Sequence, residues 1–303
     1  MELLIYLILF LLVLIVSSTT NKLLPFLPLP LVQILLGIVI GLFLPNTDFH
    51  LNTELFLALV IGPLLFRESE EADITAILKH WRIIVYLIFP VIFISTLSLG
   101  GLAHLLWLSL PLAACLAVGA ALGPTDLVAF ASLSERFSFP KRVSNILKGE
   151  GLLNDASGLV AFQVALTAWT TGAFSLGQAS SSLIFSILGG FLIGFLTAMT
   201  NRFLHSFLLS VRATDIASEL LLELSLPLVT FFLAEEVHVS GIIAVVVAGI
   251  LKASRFKKIT LLEAQVDTVT ETVWHTVNFM LNGSVFVILG MELEMIAEPI
   301  LTN

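Results

Sequence analysis

Two aspartates stand inside apolar runs of this chain, Asp126 in LGPTDLVAF (122–130) and Asp155 in GEGLLNDASGLVAF (149–162). An acid at the centre of a bilayer costs ~2.5–3.5 kcal/mol on an insertion scale, so it persists mainly where it has work to do. Desolvation raises the pKa of a buried carboxyl group toward the physiological range, whereas a nearby Na⁺ or Li⁺ favours the ionised form. One carboxylate can then hold a proton or an alkali cation, but not both well. Exposed alternately to the two sides of a membrane, such a site exchanges one ion for the other.

Hard cations take oxygen ligands. Asp155, Asp126, the hydroxyl of Thr125 and carbonyls freed by a helix break at Gly123-Pro124 are the candidate Na⁺ ligands. The proline removes a backbone donor and disfavours helix before it, and irregular backbone at membrane depth is tolerated where it is buried in protein or lines a cavity. Asn154 can donate to a carboxylate or carbonyl and accept in return. Glu150 calls for a cationic partner and reads as half of a structural ion pair. Gly151, Asp155 and Gly158 follow i, i+4, i+7 spacing, so they share one helical stripe on which a neighbour or an ion can come close. Counted from a turn near Phe139, Asp126 lies ~20 Å back and Asp155 ~24 Å on, at ~1.5 Å per residue, so both reach similar depths on antiparallel helices.

The elements that must carry these residues are membrane spans. The 303 residues are 58% hydrophobic and 12% charged, about half the charged fraction of a soluble chain, and the mean hydropathy is +1.06. The apolar runs predict an all-α polytopic membrane protein of ten spans, at about 2–19, 25–44, 51–66, 81–103, 107–134, 142–170, 178–200, 213–234, 239–251 and 268–291. The ninth is short for a crossing and is expected to be shielded by its neighbours. The first run lacks a basic n-region and a small-residue cleavage site, so it reads as a span rather than a signal peptide.

All fourteen Lys and Arg fall in or beside alternate loops, with Arg136, Lys141, Arg142 and Lys148 around the 5–6 loop. The opposite loops carry Asp48, Glu54, Glu235 and Glu236, or no charge. The positive-inside rule therefore predicts an outside N-terminus. GIVIG (37–41) and GFLIG (190–194) allow close helix contact, within one chain or across a dimer.

Plainer readings accompany these. A membrane aspartate can cap a broken helix or pair with a base, and Thr125 can be an ordinary helix-internal hydroxyl. Asn278, Asn282 and Ser284 read as interhelical hydrogen bonders, His104, His238 and His275 as interfacial, and RESEEAD (67–73) as a solvated cytoplasmic turn. The lone Cys115 is inert filler that forms no intrachain disulfide. No Cys/His cluster, Gly-rich phosphate loop or Ser-His-Asp set is visible, and nothing points to nucleic acid or to a cofactor beyond the transported ions.

At PLLF (63–66), GPTD (123–126), GEGLLNDAS (149–157), HVSGIIAVVVAG (238–249) and FMLNGSVFVILGMEL (279–293) the sequence resembles bacterial Na⁺/H⁺ antiporters of the monovalent cation:proton antiporter family 1. The resemblance implies an inverted-repeat fold of thirteen helices, a cell-membrane location with an outside N-terminus, and a homodimer. It makes Asp155 the main shared Na⁺/H⁺ carboxylate, with Asp126 and Thr125 at a crossing of unwound helices. Asn154 before the aspartate resembles the electroneutral one-for-one branch. On this reading the chain is one membrane domain, with a first repeat over 1–171 whose half-core is 81–170. Span 7 and an incomplete second repeat follow over 178–303.

Leu127, Gly151 and Arg67 depart from the family's usual proline, serine and acid. The chain ends after span 10, before the helices that supply the family's partner broken helix and the arginine opposite Glu150. The expectation is therefore a chain missing a C-terminal portion, with Glu150 taking up a proton if unpaired. The rivals are an inactive fragment or accessory subunit of such an antiporter, a cation channel, and an intramembrane aspartyl protease. For the protease the GxGD pattern is absent.

Overall fold

A computed structural model describes residues 2–24, 26–43, 52–72, 74–124, 139–171, 176–211, 215–253 and 261–301. Every element among them is helical: α1 Glu2–Leu23, α2 Leu29–Phe43, α3 Thr53–Phe56, a π-turn Leu57–Ile61, α4 Gly62–Glu71 and α5 Ile74–Leu106. These are followed by α6 Leu112–Leu122, α7 Lys141–Thr171, α8 Leu176–Ser210, α9 Ile216–Glu236, α10 Gly241–Ala253 and α11 Leu261–Leu301. In lipid only a helix or a closed barrel satisfies its own backbone groups, which suits this composition.

Three of these helices are long and apolar enough to cross a membrane by length and composition: Phe185–Ser210, Ile216–Glu236 and Thr268–Leu293. Five more apolar stretches are shorter, among them Leu112–Leu122 and Gly241–Ala253. Beyond Pro124 the expected fifth span lies outside the described residues, and where expected spans coincide with helices the helices run past the apolar windows. Helix α5 starts at Ile74 rather than 81, and α8 continues to Ser210 rather than 200. Polar turns at the ends of a helix extend it beyond the part that hydropathy detects.

The chain divides into two compact units, 1–64 with 259–303, and 65–258. In the first, α11 packs along α2, and α1 lies against both. A β-carbon on Gly37 would run into the Val287 carbonyl and the Gly290 backbone. The glycine of GIVIG therefore serves contact within this chain. Gln33 and Ser17 are buried there, and Ser17 donates to the Leu14 carbonyl at 3.0 Å. The π-turn precedes Gly62-Pro63: the proline cannot donate to the helical ladder, and widening one turn accommodates its ring.

In the second unit α5, α6 and α7 pack together as one triple and α8, α9 and α10 as another. Gly194 of GFLIG faces the Ala244 carbonyl so closely that a β-carbon would collide with it, so this pattern also joins helices of one chain, α8 to α10. Thr230 donates to Thr197 Oγ1 at 3.0 Å between α9 and α8. Helix α10 has 13 residues, with Ala244, Val245 and Ala248 wholly buried, so it is shielded as its shortness required.

The turn from α9 to α10 holds His238 at φ 58°, with the Val239 amide donating to the Ala234 carbonyl at 3.0 Å. This is a left-handed helix stop occupied by a residue other than glycine. His238 and His104 lie at helix ends, whereas His275 sits on an exposed part of α11.

Two sequence expectations need correction. RESEE is not a solvated turn: residues 67–71 close α4, Ser69 is fully buried, and Arg67 and Glu70 are mostly buried. Ser284 bonds within its own helix, donating to the Met280 carbonyl at 2.8 Å, and the Asn278 Oδ1 is buried without a hydrogen-bond partner among the described residues.

Candidate functional site

Helix α6 ends at Leu122, and Gly123 and Pro124 follow as bends, so the helix ends at the Gly-Pro pair. This end is held from two sides. On α5, Ser95 Oγ would lie 3.0 Å from a β-carbon on Gly123, and it donates to the Val91 carbonyl at 2.6 Å. On α7, the Pro124 ring fills the space that a side chain at Gly158 would occupy. One step back, a β-carbon on Gly119 would strike the Thr96 carbonyl and the Gly100 amide, so α5 and α6 cross at backbone contact. The interior of this triple holds Ile84 and Ile92 with Ile146 and Ala161 packed against them.

Asn154 and Asp155 lie on the helical backbone of α7, Asp155 three residues before Gly158, but their side chains are outside the description. Thr125 and Asp126 lie outside the described residues. Glu150 is buried at 7% exposure and is not solitary, and Gly151 beside it is also buried. The structure thus brings Gly123-Pro124 onto the helix that carries Asp155, one turn from it. Among the described residues no group of three or more His, Cys, Asp or Glu could hold a metal ion.

Sequence reasoning missed Ser95 and a charge cluster elsewhere in the same unit. Lys252 Nζ lies 3.0 Å from Glu70 Oε1 and 2.7 Å from Glu223 Oε1. Arg67 bonds Glu70 Oε2 at 2.9 Å and Glu71 at 2.7 Å. Burial opposes the charge of Arg67, but Glu70, Glu71 and Glu223 outweigh it and raise its pKa above the usual value. On the same face of α9, Glu219 meets His205 of α8 at 3.2 Å. Glu219 and Glu223 interrupt the apolar run SELLLELSLPL (218–228), the signal that singled out Asp126 and Asp155, and it was available for them too.

Residues 7–302 match the family described as "Sodium/hydrogen exchanger, transmembrane", and the chain belongs to that family. It is 37% identical over 288 residues to a sodium, potassium, lithium and rubidium/H⁺ antiporter of Bacillus subtilis, covering 95% of this chain and 43% of that protein. It is 32% identical to the uncharacterized Na⁺/H⁺ exchanger YjcE of Escherichia coli, over 98% of this chain and 54% of that protein. The chain thus spans about half the length of these curated relatives. The fold is similar to that of the sodium proton antiporter MjNhaP1 of Methanocaldococcus jannaschii, with TM-score 0.71 and 21% identity over 96% of this chain and 70% of that one.

Proposed function

We propose that this chain carries the ion site of a Na⁺/H⁺ antiporter, in which Asp155 binds either a proton or a Na⁺ (or Li⁺) ion. Asp126 and the Thr125 hydroxyl complete the Na⁺ ligands, Asn154 orients the carboxylate, and Glu150 holds a structural ion pair. The packing of Pro124 on Gly158 carries the reading, because it sets the Gly-Pro end of α6 against the neighbouring helix, one turn from Asp155. An amide beside the aspartate, in place of a second acid, supports electroneutral one-for-one exchange. The inverted-repeat organisation, homodimer, cell-membrane location and outside N-terminus belong to the same reading.

In this mechanism the α5–α6–α7 triple excludes bulk water from the carboxylate. The ion loses part of its hydration shell to oxygens of Asp155, Asp126, Thr125 and the break. A proton arriving from the other side neutralises the carboxylate and releases the cation. Competition at one site couples the two gradients, because the empty ionised site is the costly state in a poorly solvated setting. The purified protein in weak buffer at fixed pH is expected to release protons when Na⁺ or Li⁺ is added, and Asp155→Asn to release none. Equal release by the variant would overturn the assignment.

A further inference from the structure

The charge cluster at the end of α4 is far better enclosed than the solvated turn that its composition suggests. Lys252 is 8% exposed at the side chain, Glu70 16% and Glu223 15%. The Lys252 ammonium also stands over the Phe66 ring, 5.4 Å from its centroid. One turn earlier, a β-carbon on Gly249 would meet the Phe66 carbonyl and Ser69, so α10 and the end of α4 touch at the backbone. Lys252 therefore ties three helices at one point: its own α10, α4 through Glu70, and α9 through Glu223. Glu70 uses one oxygen for Lys252 and the other for Arg67, so the two cations brace one carboxylate. Helix α5, the first of the triple that carries the proposed ion site, begins at Ile74, three residues past Glu71.

We infer that Lys252 is a positioning residue whose ionic clasp fixes the end of α4 to α9 and α10, giving α5–α7 a stationary root when the ion site changes sides. This rests on the antiporter reading for its role, but not for the clasp itself. A clasp that must stay shut differs from a gate that must open. Removing the ammonium takes from Glu223 its cation at 2.7 Å and leaves Glu70 with Arg67, which is more disruptive than removing the ammonium and the Glu223 charge together.

Two readouts test this. The first is thermal unfolding of the detergent-solubilised chain, which needs no transport. Lys252→Met is expected to lower the midpoint by several degrees. Lys252→Arg, and the double variant Lys252→Met with Glu223→Gln, in which Glu70 keeps Arg67, are expected to recover most of the loss. An unchanged midpoint for Lys252→Met would overturn the clasp.

The second readout is Na⁺-driven exchange in vesicles. Lys252→Met is expected to lower the maximal rate about tenfold while the half-saturating Na⁺ concentration stays within twofold. With Cys115→Ser as background, Glu70→Cys and Lys252→Cys joined by a short bis-thiosulfonate reagent are expected to regain rate, because a covalent tie replaces the ionic one. Loss of the remaining exchange on cross-linking, reversed by reductant, would overturn the stationary root in favour of a gate. If no variant and no wild-type chain exchanges ions, the antiporter reading fails while the unfolding data still decide the clasp.

Discussion

Asp155 stands out because an acid inside an apolar run has few purposes, and Gly158 because it keeps one helix face bare for a partner. The partner is Pro124, which no spacing rule could name. Placing a methyl group at Gly158 forces the proline ring outward at the helix break. Gly158→Ala is expected to destabilise the protein by about 1–3 kcal/mol, the usual penalty of overpacking, and to depress exchange, read by thermal unfolding beside transport. An unchanged midpoint would show that the break tolerates displacement. Gly151→Ser adds a hydroxyl oxygen on the Asp155 stripe and is expected to lower the Na⁺ concentration for half-maximal exchange. Weaker Na⁺ dependence would argue against a ligand role at that position. Glu150 was legible as an acid inside an apolar run, and it is buried at 7% exposure.

Helices were legible where apolar length defined them, and their ends were not. Ends answer to caps, as at α9, where the Asp215 side chain accepts from the Ser218 amide at 2.9 Å. Hydrogen bonds from the Ser218 hydroxyl and then from its amide lower the Asp215 pKa. A depressed carboxylate contributes at neutral pH, and the contribution fades as pH falls through the lowered pKa. Hydrogen exchange at the start of α9, corrected for intrinsic rate, is expected to quicken at acid pH and to lose this dependence in Asp215→Ala.

The α9–α10 turn offers the opposite case, a non-glycine residue at φ 58°. His238→Gly is expected to stabilise the fold by about 1 kcal/mol, since the left-handed conformation strains residues that bear a β-carbon. No gain in midpoint would mean that the imidazole contributes contacts that offset the strain. The end of α4 was misread for a related reason. RESEE is charged enough to look solvated, and only the approach of Gly249 and Lys252, about 180 residues later in the chain, buries it.

At the scale of the molecule, the placement of Lys and Arg predicts an orientation on its own, because their bias is a property of loops rather than of packing. It is checked with single cysteines in a Cys115→Ser background. Ser138→Cys is expected to react only from the cytoplasmic side and Ser175→Cys only from outside, and the reverse pattern would invert the topology. Family membership follows from nearly the whole chain, whereas transport depends on a longer relative's whole architecture, of which this chain covers about half. The decisive measurement is collapse of an imposed pH gradient on adding Na⁺ to everted vesicles holding the protein, beside Asp155→Asn at equal expression. The account predicts collapse with the native carboxylate and none with the amide. Collapse of equal rate and extent in Asp155→Asn would contradict it.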